Sequence, residues 1–173
     1  MIDLKRLWIM KIKPTGGIDS FDFCRRRKVI GFGWGVENLS KNASFLDYVS
    51  AAKAKFKRGR GLTRLLNDFG NIVDNPSDHL IWVYDQRQKV YYLCVPTGEY
   101  HYNRDKKHET AKIVNTMKCE FHRIGFREIV PKAIVNGFAP KFTLREVDDE
   151  DALTTTKCLL AIIKKNETPH GES

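Results

Sequence analysis

The stretch from His79 to Thr97 constrains the fold more than any other part of this chain. His79–Tyr84 and Val90–Thr97 are two runs rich in β-branched and aromatic residues, joined by the polar segment Asp85-Gln86-Arg87-Gln88-Lys89. Such a pattern reads as a β-hairpin, so the middle of the chain is β. Residues Gly98–Asp105 continue the hairpin or bend away from it. Lys112–Ile124, with Ile113, Val114, Met117, Cys119, Phe121 and Ile124, supplies a further long run.

The flanking segments mix the two periodicities. Leu4–Lys13 reads as a strand closed by Pro14-Thr15-Gly16-Gly17, and Lys28–Trp34 as a second strand with a glycine-rich end. Between them, Asp19 or Ser20 is placed to cap a short helix running to Arg27. Ser44 opens an amphipathic helix to Phe56, with Phe45, Tyr48, Val49 and Ala52 on one face. Thr63–Val73 is a second amphipathic helix, with Leu65, Leu66, Phe69 and Ile72 inward. Asn75–Asp78 is a turn, and Val130-Pro131 to Phe138 a single helical turn. A last helix covers Ala152–Lys164, with Asp148–Asp151 at its N-terminus and Lys164-Lys165 at its C-terminus, which suits the helix dipole. Five or six strands with three helices, and few βαβ units, predict an α+β fold: a curved mixed sheet or small β-barrel flanked by helices.

At 173 residues, with 42% hydrophobic and 29% charged positions, the chain is long and apolar enough for one domain with its own core. No run approaches the roughly 18 apolar residues of a membrane span. The first apolar run is broken by Lys11 and Lys13, unlike a secretory leader. The four cysteines are scattered without a CxxC pair, which argues against a disulfide framework and a cysteine zinc site and predicts a reducing, cytoplasmic setting. The net charge of +9 is uneven: residues 1–64 hold 15 Lys and Arg against 5 Asp and Glu, whereas residues 148–173 hold 3 against 6. A confined positive field is the footprint of a polyanion partner.

Two features bear directly on such a partner. Lys53, Lys55, Lys57, Arg58, Arg60 and Arg64 surround Gly59 and Gly61 between two helices, where bare backbone and the following helix N-terminus favour phosphate; the alternative is a solvated surface loop. Gly31-Phe32-Gly33-Trp34-Gly35 ends a strand. Its tryptophan either offers a π-face to a base or packs in the core while the glycines form a bulge. The spacing is not that of a Walker loop. Among the aromatics Trp82, Tyr84, Tyr91, Tyr92, Tyr100 and Tyr102, alternation pairs Trp82 with Tyr84 and Tyr100 with Tyr102 on shared faces. One or two of them are candidates to wall a pocket with Trp34. Cys119-x-x-His122 is a poor metal pattern. Glu99, Asp105, Glu109 and Lys112 form only a loose nuclease-like set. No catalytic constellation, metal site or cofactor motif is evident.

The order of these pieces carries a resemblance. Leu7–Lys13, a helix with Cys24, Val29–Trp34, a helical insert, the Leu80–Tyr102 hairpin and Ile113–Phe121 together resemble the EVE/YTH-like branch of the PUA-like superfamily. The likeness is greatest to N-terminal modules of modification-dependent restriction systems and spans roughly residues 5–147. Its most specific elements are Gly31-x-Gly33-Trp34 and Thr97-Gly98-x-Tyr100-x-Tyr102. The resemblance implies a nucleic-acid-binding domain over 1–147; beyond it the residues themselves predict a C-terminal helix over 148–165 and a flexible tail over 166–173. The resemblance also implies an aromatic cage for one flipped, modified base. Trp34 would be the cage tryptophan and Gly35 a backbone contact beside it; Phe32, Trp82 and Tyr100 are further base-binding candidates. Lys57, Arg58, Arg60, Arg64 and Lys11 would hold phosphates. Pro14-Thr15-Gly16-Gly17 lacks the asparagine that bonds the base in RNA-reading YTH members, and no motor or nuclease domain is expected alongside it. The expected partner is nucleic acid, DNA ahead of RNA, in a restriction or phage-defence setting. A module that binds a restriction or immune complex is the alternative, and a metal-dependent nuclease ranks last.

Overall fold

The computed structural model describes residues 5–13, 19–57 and 59–167. Its frame is a six-stranded mixed sheet curled into an open half-barrel. The strands are β1 (Arg6–Met10), β2 (Val29–Phe32), β3 (His79–Asp85), β4 (Val90–Tyr102), β5 (Asn115–Gly125) and β6 (Leu144–Val147), in the order β2-β5-β4-β3-β1-β6. β1 lies parallel to β3, and every other neighbouring pair is antiparallel. The helices are α1 (Ser20–Arg27), α2 (Phe45–Lys55), α3 (Arg60–Asp74), α4 (Lys106–Ala111), α5 (Lys132–Gly137) and α6 (Glu150–Glu167). The α+β class expected from the sequence is the class observed.

Side-chain alternation divides the interior in two. Trp8, Met10, Ile81 and Val83 face a larger core with Phe21 and Cys24 of α1, Tyr48 of α2, and Leu66 and Phe69 of α3. Leu7, Ile9, Leu80 and Trp82 face a second core with Ile134 of α5 and Ala152 of α6. Covered on both sides, β1 and β3 are apolar at nearly every position, which is why they read as continuous runs.

Local chemistry sets most helix ends. Asp19 caps α1 by accepting from the Asp22 N–H, and Lys28 ends it in a left-handed conformation. Ser44 and Asp47 cap α2 reciprocally. α3 has no side-chain cap and begins after Gly59, so Arg60 and Gly61 belong to its first turn rather than to a loop. Burial of Leu62 beside Leu65 and Leu66 draws that turn into the helix. Gly98–Tyr102 continues β4 through a register slip: Pro96 stands opposite Cys119 and Tyr100 opposite Met117. α4 and β6 are additions to the sequence reading. α4 buries only Ala111 and is otherwise polar; β6 buries only Leu144 and exists by pairing with β1. All four cysteines are free thiols. No helix among the described residues is long and apolar enough to cross a membrane.

A buried histidine links the larger core to pH. His79 Nδ1 accepts from Trp8 Nε1 at 2.9 Å, and its Nε2–H faces the Asn71 carbonyl at 3.1 Å, an arrangement that requires the neutral ring. Burial lowers its pKa. The unfolded chain therefore binds a proton that the folded one refuses, and stability falls as pH drops below about 6.5, the ordinary histidine value. Thermal melts at pH 5.5 and 7.5 should show the lower midpoint at pH 5.5, and His79→Gln should reduce that difference.

Candidate nucleic-acid interface

At Phe32 the chain leaves the sheet and turns through Gly33-Trp34-Gly35. Gly31 is pressed against β5: a Cβ there would collide with the Asn115 carbonyl oxygen. Trp34 has φ +63°, a left-handed conformation that costs a side-chain-bearing residue about 1–2 kcal/mol. Its neighbours hold it there. Asn115 Nδ2 donates to the Gly33 carbonyl at 2.7 Å, the Tyr48 hydroxyl to the Trp34 carbonyl at 2.8 Å, and Lys55 Nζ to the Gly35 carbonyl at 3.0 Å. The Tyr102 hydroxyl donates to the Val36 carbonyl at 2.6 Å and accepts from its N–H at 2.7 Å. Burial raises the pKa of Tyr48, keeping it a donor. Trp34 itself is 47% exposed, its ring edge-on to Phe56 with centroids 5.0 Å apart. Backbone strain of this kind clusters at functional sites.

Trp34 stands at a cavity of about 750 Å³. Phe32, Ile12, Ile113 and Val114 contribute apolar lining, Trp34, Phe56 and Phe142 add aromatic walls, and Lys11, Lys13, Lys55 and Lys112 surround it with ammonium groups. Lys11 lies 4.5 Å over the Phe142 ring and donates to the Pro140 carbonyl; burial and the neighbouring Lys13 lower its pKa. Lys112 arrives in a left-handed conformation at the end of α4. Glu109, the carboxylate among the lining residues, is paired with Arg104. Flat apolar walls within a cationic rim suit a base attached to phosphate.

The structure brings together Trp34, Gly35, Phe32 and Lys11 of the residues singled out from the sequence. Phe32 is buried, with its ring also against Tyr48 and Phe69. Lys57, Arg60 and Arg64 line an adjacent cavity of about 540 Å³ that shares Phe56 with the first. Arg64 lies 3.7 Å from Asp68 and is largely exposed. Arg58 and the Pro14–Gly17 turn fall outside the described residues.

Two base-binding candidates are displaced. Trp82 is fully buried in the second core, where its Nε1 donates to Thr156 Oγ1 of α6 at 3.0 Å. Its position on β3 turns it to the face of the sheet away from the Trp34 loop, so it cannot wall the cavity. Tyr100 sits behind the loop instead of in the cavity: its hydroxyl donates to Asn115 Oδ1 at 2.6 Å and orients the amide that holds Gly33. Tyr100 and Tyr102 do share the larger core, as alternation implied.

Of the remaining chemical candidates, Glu109 and Lys112 line the Trp34 cavity. Cys119 packs in the larger core, while His122 lies between Glu120 and Glu167 at 3.1 and 3.3 Å. Asp105 caps α4; hydrogen bonds from the His108 backbone and ring pull its carboxyl down to about 2. Glu109 is held by Arg104, and the exposed Glu99 lies 3.9 Å from His101. No group of three or more His, Cys, Asp or Glu among the described residues could hold a metal ion.

Phe56, Phe142 and Lys13 were not among the site residues read from the sequence, and Lys112 figured there only in the nuclease-like set. They come from four separate segments, and only the fold assembles them.

No family model matches the sequence, and no curated protein matches it. Among solved structures, the chain is similar to a YTH domain from Zygosaccharomyces rouxii crystallised in complex with N6-methyladenosine RNA. The identity is 11%, the TM-score 0.45, and the alignment covers 92% of this chain and 87% of the other.

Proposed function

We propose that this protein is a nucleic-acid-binding module that takes one flipped-out, modified base into the cavity beside Trp34. The observation that carries the reading is an exposed tryptophan, held in a left-handed backbone by four side chains, at the mouth of a lysine-rimmed aromatic cavity. Flipping a base costs a few kcal/mol, and stacking returns roughly 1–3 kcal/mol per base. Contacts to the base edge must supply the rest, which makes the reader selective. Lys57, Arg60 and Arg64 extend the positive surface past Phe56 and would follow the backbone. A preference for DNA and a place in restriction or phage defence are part of this proposal, and they rest on the EVE/YTH-like order of the sequence elements.

The test is a binding panel at low salt: plain, methylated and hydroxymethylated DNA, and plain and methylated RNA. Tighter binding to one modified member is the expected result. Binding to none of them would overturn the reading in favour of a protein partner. Within that panel, Arg60→Ala should weaken all members alike and lower the slope of log K against log salt by about 1, as loss of one phosphate contact does.

A further inference from the structure

Trp34 belongs to two cavities. Besides the lysine-rimmed one, it lines a second of about 660 Å³ with the start of α3 and the segment Pro140–Arg145; Phe142 and Thr143 are shared by both walls. The second cavity is lined by Leu62, Leu65 and Leu144 and carries Arg64, Lys141 and Arg145. We propose that it is a subsite for the base next to the flipped one. Trp34 would then stand between two consecutive bases of a single strand, one in each cavity. This rests on the reading of the first cavity given above.

The geometry suits a strand. Successive bases stacked on opposite faces of one ring lie about 7 Å apart, twice the 3.4 Å spacing of neighbouring nucleotides, a gap opened by extending the backbone. Apolar lining with cations beside it is what sequence-tolerant base stacking requires. It also gives the strained loop a purpose. A tryptophan shared by two cavities must project from the loop, and the left-handed turn at residue 34, bonded through three consecutive carbonyls, fixes that placement.

Gly61 provides the test. It lines the second cavity and not the first, and a Cβ on it meets nothing within 4 Å. Gly61→Phe should therefore fill the second cavity from the α3 side, with Gly61→Ala as the control for altering the helix. Trp8 and Trp82 are fully buried and Trp34 is exposed, so quenching of tryptophan emission reports on Trp34. The probes are 5′-mononucleotides and dinucleotides of adenine, N6-methyladenine, cytosine and 5-methylcytosine, in deoxyribose and ribose series.

In the wild type and in Gly61→Ala, adding the second nucleotide should tighten binding about tenfold, within the range of one stacked base. In Gly61→Phe that gain should vanish while mononucleotide affinity stays the same. The series that shows the gain identifies DNA or RNA as the strand. An unchanged gain in Gly61→Phe, or none in the wild type despite mononucleotide quenching, would overturn the second subsite and leave the first cavity standing. Quenching by no nucleotide at all would overturn both.

Discussion

Trp34→Ala should abolish discrimination between modified and plain oligonucleotides and leave the fold intact. The side chain is half exposed and makes one ring contact, with Phe56, so its loss opens no core cavity. It is also the surface on which the base would stack, at roughly 1–3 kcal/mol, or about 5- to 150-fold in affinity. Binding isotherms for matched modified and plain ligands should converge on one weak value, set by the cationic surface alone. If Trp34→Ala binds both as the wild type does, the cavity reading is wrong. A companion variant separates binding from backbone strain. Because φ is +63° at this position, Trp34→Gly should be more stable than Trp34→Ala by about 1 kcal/mol, or about 2–4 °C in melting temperature for a chain of this size. In a relaxed loop the order would be reversed, since glycine loses more entropy on folding.

Trp82→Ala has the largest expected effect on stability. The side chain fills the second core between β3, α5 and α6, and it is the hydrogen-bond donor to Thr156 Oγ1. Truncation removes a large buried ring and leaves a cavity, costing about 3–5 kcal/mol, which lowers the melting temperature by about 6–20 °C. Trp82→Phe keeps most of the volume and loses the hydrogen bond, at about 1 kcal/mol. Nucleic-acid affinity of Trp82→Phe should equal that of the wild type, because the residue lies away from the Trp34 cavity. A drop in base selectivity without a drop in melting temperature would return Trp82 to the binding site.

The contrast between these two tryptophans shows how far the sequence could be read. Both lie in or at the end of apolar strands, and both were base-binding candidates. The glycines around Trp34 set that strand end apart in the sequence; the close approach of Gly31 to the Asn115 carbonyl is visible only in the structure. Nothing near Trp82 distinguishes a cage wall from a core ring, since alternation assigns it a face without saying what covers that face. What covers it is α6, some seventy residues away in the chain. Tyr100 misled in a similar way. Its pairing with Tyr102 on one face was legible, but the register slip that puts its hydroxyl on Asn115 was not.

Charge followed the same rule. The excess of Lys and Arg before residue 64 is visible by counting, yet part of it is spent elsewhere: Arg25 and Arg26 pair with Asp22 and Arg27 lies over Phe23, on the surface of α1. The cavities draw on Lys11, Lys13, Lys55 and Arg64 from that basic part, and also on Lys112, Lys141 and Arg145 from residues 65–147, which hold 12 Lys and Arg against 10 Asp and Glu.

By itself, then, the sequence determined the class of fold, the long apolar strands, the capped helices and the glycine-ringed tryptophan. Each of these is a local consequence of side-chain period, capping chemistry or a missing Cβ, so nearby residues suffice to specify it. Only the tertiary structure decided which aromatic faces solvent, where α4 and β6 lie, and how lysines from three segments surround one cavity. Those outcomes depend on what packs against each face after the sheet curls, and contacts between distant segments leave no periodic mark in the chain.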